Sequence, residues 1–67
     1  MKEDFDPIKT GKELKARREE KRVGVRQVAL KFEKSERTIL RWESGNGLTH
    51  FIAKNYFIYL QRIRAVK

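Results

Sequence analysis

Val28-Ala29-Leu30-Lys31-Phe32-Glu33-Lys34-Ser35-Glu36-Arg37-Thr38-Ile39-Leu40-Arg41-Trp42-Glu43 holds two short helical patterns that meet at a tight turn. Val25, Val28, Ala29 and Phe32 recur at helical spacing and predict a helix from Val25 to Phe32. Arg26, Gln27 and Lys31 fall on its opposite side, while Leu30 lies off the main stripe and is expected to meet a different neighbour. Val23-Gly24 breaks the preceding pattern, and Gly24 suits an N-cap. Glu33-Lys34 forms the link, and Ser35 caps a second helix running from about Glu36 to Ser44. At about 100° per residue, Glu36, Arg37, Leu40, Arg41 and Ser44 share one side, spread over about 140°. Ile39 and Trp42 point the other way, with Thr38 on the inner flank. One side is core; the other is polar and carries arginine.

Downstream, Ser44-Gly45-Asn46-Gly47 ends that helix, because glycine and asparagine tolerate positive φ. Thr49 then caps a last helix expected from His50 to about Arg64. Its apolar load covers more than one face: Phe51, Ile52, Ala53, Tyr56, Phe57, Ile58, Tyr59, Leu60 and Ile63. One stripe such as Ile52, Tyr56, Tyr59 and Ile63 would suffice for packing within the chain. The surplus implies a second apolar surface. Phe51, Tyr56, Tyr59 and Ile63 are the candidates for a dimer contact.

Upstream, Met1 to Lys9 carries acids, Phe5 and the only proline, Pro7, and reads as an extended N-terminal arm, with Phe5 and Ile8 able to dock on the body. Thr10-Gly11-Lys12-Glu13 has capping-box spacing, so a first helix is expected from about Gly11 to Arg22. Its apolar content is thin, chiefly Leu14 and Ala16. The expectation is thus an all-α, compact four-helix domain over residues 10–67, with a central helix–turn–helix and a long C-terminal helix.

Sixty-seven residues suit one small core, and a chain of this size buries only about 60% of its unfolded surface. Without cysteine there is no disulfide and no cysteine-ligated zinc, and His50 alone cannot build a metal site. No metal, cofactor or small-molecule ligand is expected. His50 also lacks a nucleophile or orienting partner nearby in sequence, so no catalytic residue and no enzymatic activity are expected. No apolar run approaches the roughly 20 residues that span a bilayer, and no signal-peptide core opens the chain. The expected setting is the cytoplasm, at the nucleoid. Seventeen Lys and Arg against nine Asp and Glu leave a charge of +8, which favours a polyanionic partner.

A short helix, a tight link, a capped second helix and an Ile39/Trp42 anchor are the parts of a helix–turn–helix that enters a major groove. Arg37 and Arg41 face outward, where each can reach the O6 and N7 of a guanine. Glu36 can accept from a cytosine amino group, and Leu40 can meet a thymine methyl. Arg26, Gln27, Lys34, Ser35, Asn46 and Lys54 are the candidates for phosphate contact and positioning. Double-stranded DNA is the expected partner. Each of these residues also has a plainer reading as solvated surface, and the charge of +8 tips the balance to DNA.

These same residues resemble a known family. Arg18-Glu19-Glu20-Lys21, Gln27-Val28-Ala29 and Ser35-Glu36-Arg37-Thr38-Ile39-Leu40-Arg41-Trp42-Glu43-Ser44-Gly45 look like the Cro/C1-type, or xenobiotic-response-element type, helix–turn–helix pattern. The resemblance covers about Thr10 to Gly45. It implies a lambda-repressor-like fold, a homodimer on a palindromic operator, and an ion pair between Arg18 and Glu43 that ties helices together. The chain departs from the pattern at Val25, where relatives often carry glutamine, and at Arg17 and Lys34, which replace apolar residues. Glu33 stands where the family's turn often has glycine.

The resulting expectation is a sequence-specific DNA-binding transcriptional regulator. Repression of its operator as a homodimer, autoregulation and a phage or mobile-element origin complete it. The alternative is a protein-interaction module, an antitoxin or antirepressor, that uses the aromatic C-terminal helix. Stacking of Phe51, Tyr56, Phe57 and Tyr59 on single strands is disfavoured, since aromatics at helical spacing are more often core. Membrane-surface binding is disfavoured by the last helix's poor polar/apolar split.

Overall fold

Asp6 and Pro7 start the first helix. In a computed structural model, which describes residues 5–63, Asp6 accepts from the amides of Ile8 (3.1 Å) and Lys9 (3.2 Å). Pro7 takes the first helical position, where its missing N–H costs nothing. Helix α1 therefore runs Pro7–Glu20, earlier than the expected start at Gly11. The Thr10–Glu13 capping box does not form, because the Thr10 amide already donates to the Asp6 carbonyl at 2.9 Å. The expected arm shrinks accordingly, and its residues 1–4 lie outside the described chain.

Helices α2 (Val25–Phe32), α3 (Glu36–Glu43) and α4 (His50–Arg62) follow, so the described residues form an all-α domain of four helices. Their N-caps are Gly24, Ser35 and Thr49, with the Ser35 and Thr49 hydroxyls accepting from the Thr38 and Ile52 amides. Among the described residues no helix is long and apolar enough to cross a membrane.

Three helices end in one geometry. At the end of α2, Glu33 is left-handed (φ 58°); its amide donates to the Leu30 carbonyl and the Lys34 amide to Ala29. That is the Schellman arrangement, usually built on glycine. Arg22 (φ 60°) ends α1 the same way, with Val23 donating to Arg18, and Gly45 (φ 94°) ends α3, with Asn46 donating to Arg41. The turn glycine is thus replaced at Glu33 without loss of the turn.

The core is Leu14, Val23, Val28, Ala29, Ile39, Trp42, Leu48, Ala53, Tyr56 and Leu60. The sequence stripes of α2 and α3 supply Val28, Ala29, Ile39 and Trp42 as expected. Helix α4 differs: its buried stripe is Ala53, Tyr56 and Leu60, while Ile52, Tyr59 and Ile63 are half-buried. Tyr56 is wholly buried and so is unavailable for the dimer contact expected of it. Leu30 is 71% exposed, and Ala16 is exposed. Phe32 stands among the Trp42, Tyr56 and Tyr59 rings, at 5.7, 5.9 and 6.0 Å between centroids. Such tilted and edge-on contacts suit the ring quadrupoles.

Helix α1 packs on α3 and α4, and α2 packs on α3. Its buried face is Gly11, Leu14 and Arg18, at spacings of three and four. Gly11 lets α1 approach the end of α3 closely: a Cβ there would sit 2.5 Å from the Glu43 carbonyl oxygen and 2.7 Å from that of Trp42.

Two substitutions test this packing by thermal or denaturant unfolding. Gly11→Ala improves helix propensity, yet the crowding should destabilise the protein by about 1–3 kcal/mol. Glu33→Gly should stabilise it by about 1 kcal/mol, through relief of the left-handed strain. A stabilising Gly11→Ala or a destabilising Glu33→Gly would contradict these contacts.

Candidate nucleic-acid interface

Helix α3 begins directly after a three-residue link, Glu33 to Ser35. The Ser35 hydroxyl accepts from the Thr38 amide at 3.2 Å and lies 3.0 Å from the Thr38 hydroxyl. This cap fixes the first turn of α3 and leaves its outward side bare. Glu36, Arg37 and Arg41 are exposed there, together with Leu40 at 50% exposure. The structure therefore brings the four expected base-reading residues onto one solvent-facing side of one helix.

The inner side of α3 is held by charge as well as by Ile39 and Trp42. The Arg18 Nε donates to Glu43 Oε2 at 2.7 Å and its Nη2 to Oε1 at 3.2 Å, a two-pronged pair. The remaining guanidinium nitrogen, Nη1, donates to the Val23 carbonyl at 2.9 Å. From α4, the Tyr56 hydroxyl donates to Glu43 Oε2 at 2.5 Å. Arg18 and Glu43 are both buried, and among the described residues no buried side-chain polar atom lacks a partner. Hydrogen bonding to Glu43 raises the Arg18 pKa despite burial, so the guanidinium stays charged. Burial pushes the Tyr56 phenol well above its ordinary range, reinforced by its bond to the Glu43 carboxylate.

The candidate phosphate contacts lie on different elements. Arg26 and Gln27 are exposed in the first turn of α2, Lys34 in the turn, and Asn46 just beyond α3. Lys54, though exposed, lies in the α1–α4 groove with Glu13 and Phe57, whose lining includes no residue of α2 or α3. His50 is there too, edge-on to Phe5 at 5.5 Å.

Lys12 and Lys15 are the cations that sequence reasoning missed. They are exposed on α1 and line a shallow groove with Leu40 and Ser44 of the α3 side. The signal was present in their register: both flank the Gly11–Leu14–Arg18 stripe that faces α3. Arg17, another departure from the family pattern, lies 5.6 Å from the centre of the Phe57 ring and pairs with Glu13 at 3.4 Å in solvent. Among the described residues no group of three His, Cys, Asp or Glu could hold a metal ion.

Comparison with protein-family models, curated proteins and solved structures yields no match.

The Glu43 cluster makes a pH-dependent prediction. A phenol whose pKa is raised on folding stabilises the protein below its unfolded value of about 10, and that stability is lost as the pH rises further. Thermal melts should show stability falling above about pH 10, with a shallower fall in Tyr56→Phe. At neutral pH, Tyr56→Phe should cost about 1.5–3 kcal/mol, the worth of a bond to a charged group. An unchanged neutral-pH melt together with an unchanged alkaline slope would contradict this bond.

Proposed function

We propose that the protein is a sequence-specific reader of duplex DNA that acts as a transcriptional regulator. The observation that carries this reading is the outward side of α3: Glu36, Arg37, Leu40 and Arg41 exposed on a capped helix behind a short turn. A helix so presented suits a major groove, where Arg37 and Arg41 would each take a guanine edge by two hydrogen bonds. Lys34, Arg26, Gln27 and Asn46 are exposed, and with Lys12 and Lys15 of α1, which line a groove with Leu40, they would suit phosphates. Phosphate contacts supply affinity without sequence information. The charge of +8 supports the same polyanionic partner.

The resemblance to Cro/C1-type regulators implies two copies on a palindromic site, with half-sites about 34 Å apart. Repression by occupying a promoter, with regulation of its own gene, is the simplest regulatory outcome of such binding.

Selection from random duplexes, followed by sequencing of the bound pool, tests the reading. An enriched motif with symmetric half-sites is expected. Arg37→Ala combined with Arg41→Ala should abolish the enrichment while leaving residual salt-sensitive binding, since each guanine contact contributes about 1–3 kcal/mol of discrimination. No enrichment, or enrichment unchanged by the two substitutions, would sink it.

A further inference from the structure

An open groove of about 630 Å³ runs between the end of α2 and helix α4, outside the α3 face. Phe32, Phe51, Ile58 and Tyr59 give it an apolar lining, with Phe51 74% and Ile58 39% exposed. Its charged lining is all of one sign: Lys31, Lys34 and Arg62, with no Asp or Glu. Lys31 holds its ammonium 5.8 Å from the centre of the Tyr59 ring. The Asn55 amide is occupied, donating to the Phe51 carbonyl at 2.9 Å.

We propose that this groove binds an acidic amphipathic helix of another protein. An apolar trough edged by cations fits a helix that turns apolar residues at i, i+3 or i+4 and i+7 inward and carries Asp or Glu on its flanks. The charge pattern selects this occupant over the alternatives. In a symmetric contact between two copies, each copy's groove meets the other's. Lys31, Lys34 and Arg62 would then face their own counterparts, with no acid in the groove to answer them. Duplex DNA matches the cations but offers its phosphates nothing for Phe51 or Ile58. Phe51 and Tyr59, expected at a dimer contact, are reassigned here to a different partner. The inference is independent of base reading by α3.

Trp42 is the single tryptophan and lines the groove, so its fluorescence reports occupancy. The probe is a synthetic helical peptide with leucines at i, i+3, i+4 and i+7 and glutamate at the flanking positions. Its controls are a scrambled peptide of the same composition and a lysine-for-glutamate version of the same pattern. The expected result is saturable, salt-weakened binding of the acidic amphipathic peptide and much weaker binding of both controls. Phe51→Ser and Lys31→Glu change exposed residues, so helical content by circular dichroism should persist. Each should weaken binding about tenfold. Absence of binding, equal binding of either control, or indifference to both substitutions would overturn the proposal. Self-association of the protein that Phe51→Ser abolishes and the peptide fails to compete with would assign the groove to a second copy. Duplex binding lost in Phe51→Ser would assign it to nucleic acid.

Discussion

The Arg18–Glu43 pair takes two opposite charges out of water, and the helix arrangement depends on their remaining satisfied there. Burying either charge alone would cost several kcal/mol, so each enforces the presence of the other. Glu43 receives two bonds from Arg18 and one from Tyr56, while Arg18 spends its third nitrogen on the Val23 carbonyl. The cluster therefore joins α1, the loop after it, the last residue of α3, and α4. Ion pairing alone is weak evidence of net stability, but its directionality specifies geometry. Here it fixes the end of α3 opposite its Ser35 cap. With both ends held and Ile39 and Trp42 buried between them, the outward residues of α3 have a defined aim.

Much of this arrangement was legible because its signals are local. Ser35 and Thr49 are short side chains that satisfy the amides three residues on, and the α2 and α3 stripes follow helical period. The four outward residues of α3 follow from that period alone. The start of α1 was misread because Thr10 and Glu13 imitate a cap, whereas Asp6 with Pro7 provides a real one four residues earlier. Gly11 was hidden for a different reason. Its role is the close approach of a carbonyl thirty-two residues away at Glu43, which no local pattern encodes. Tyr56 was misplaced similarly, since a buried acid on another helix decides that its hydroxyl turns inward. The Arg18–Glu43 pairing entered through family resemblance, not through spacing. Lys12 and Lys15 are candidates through tertiary packing, which sets α1 beside Leu40.

Two surfaces meet at the turn between α2 and α3. Lys34 directly precedes the Ser35 cap and also lines the α2–α4 groove, so one residue lies between the start of α3 and the apolar trough. The left-handed Glu33 holds that lysine at the junction, because the Lys34 amide is bonded back to Ala29. The apolar surplus of α4 is thereby divided. Ala53, Tyr56 and Leu60 complete the core, while Phe51, Ile58 and Tyr59 are left for the groove.

The claim on which the functional reading depends is that α3 presents its outward side to duplex DNA. Titration of isotope-labelled protein with the selected duplex, followed by amide resonances, addresses it residue by residue. The largest changes are expected on Glu36, Arg37, Leu40 and Arg41, with smaller ones at Lys34, Arg26 and the exposed lysines of α1. Changes confined to α4, with the α3 amides unmoved at saturation, would contradict it.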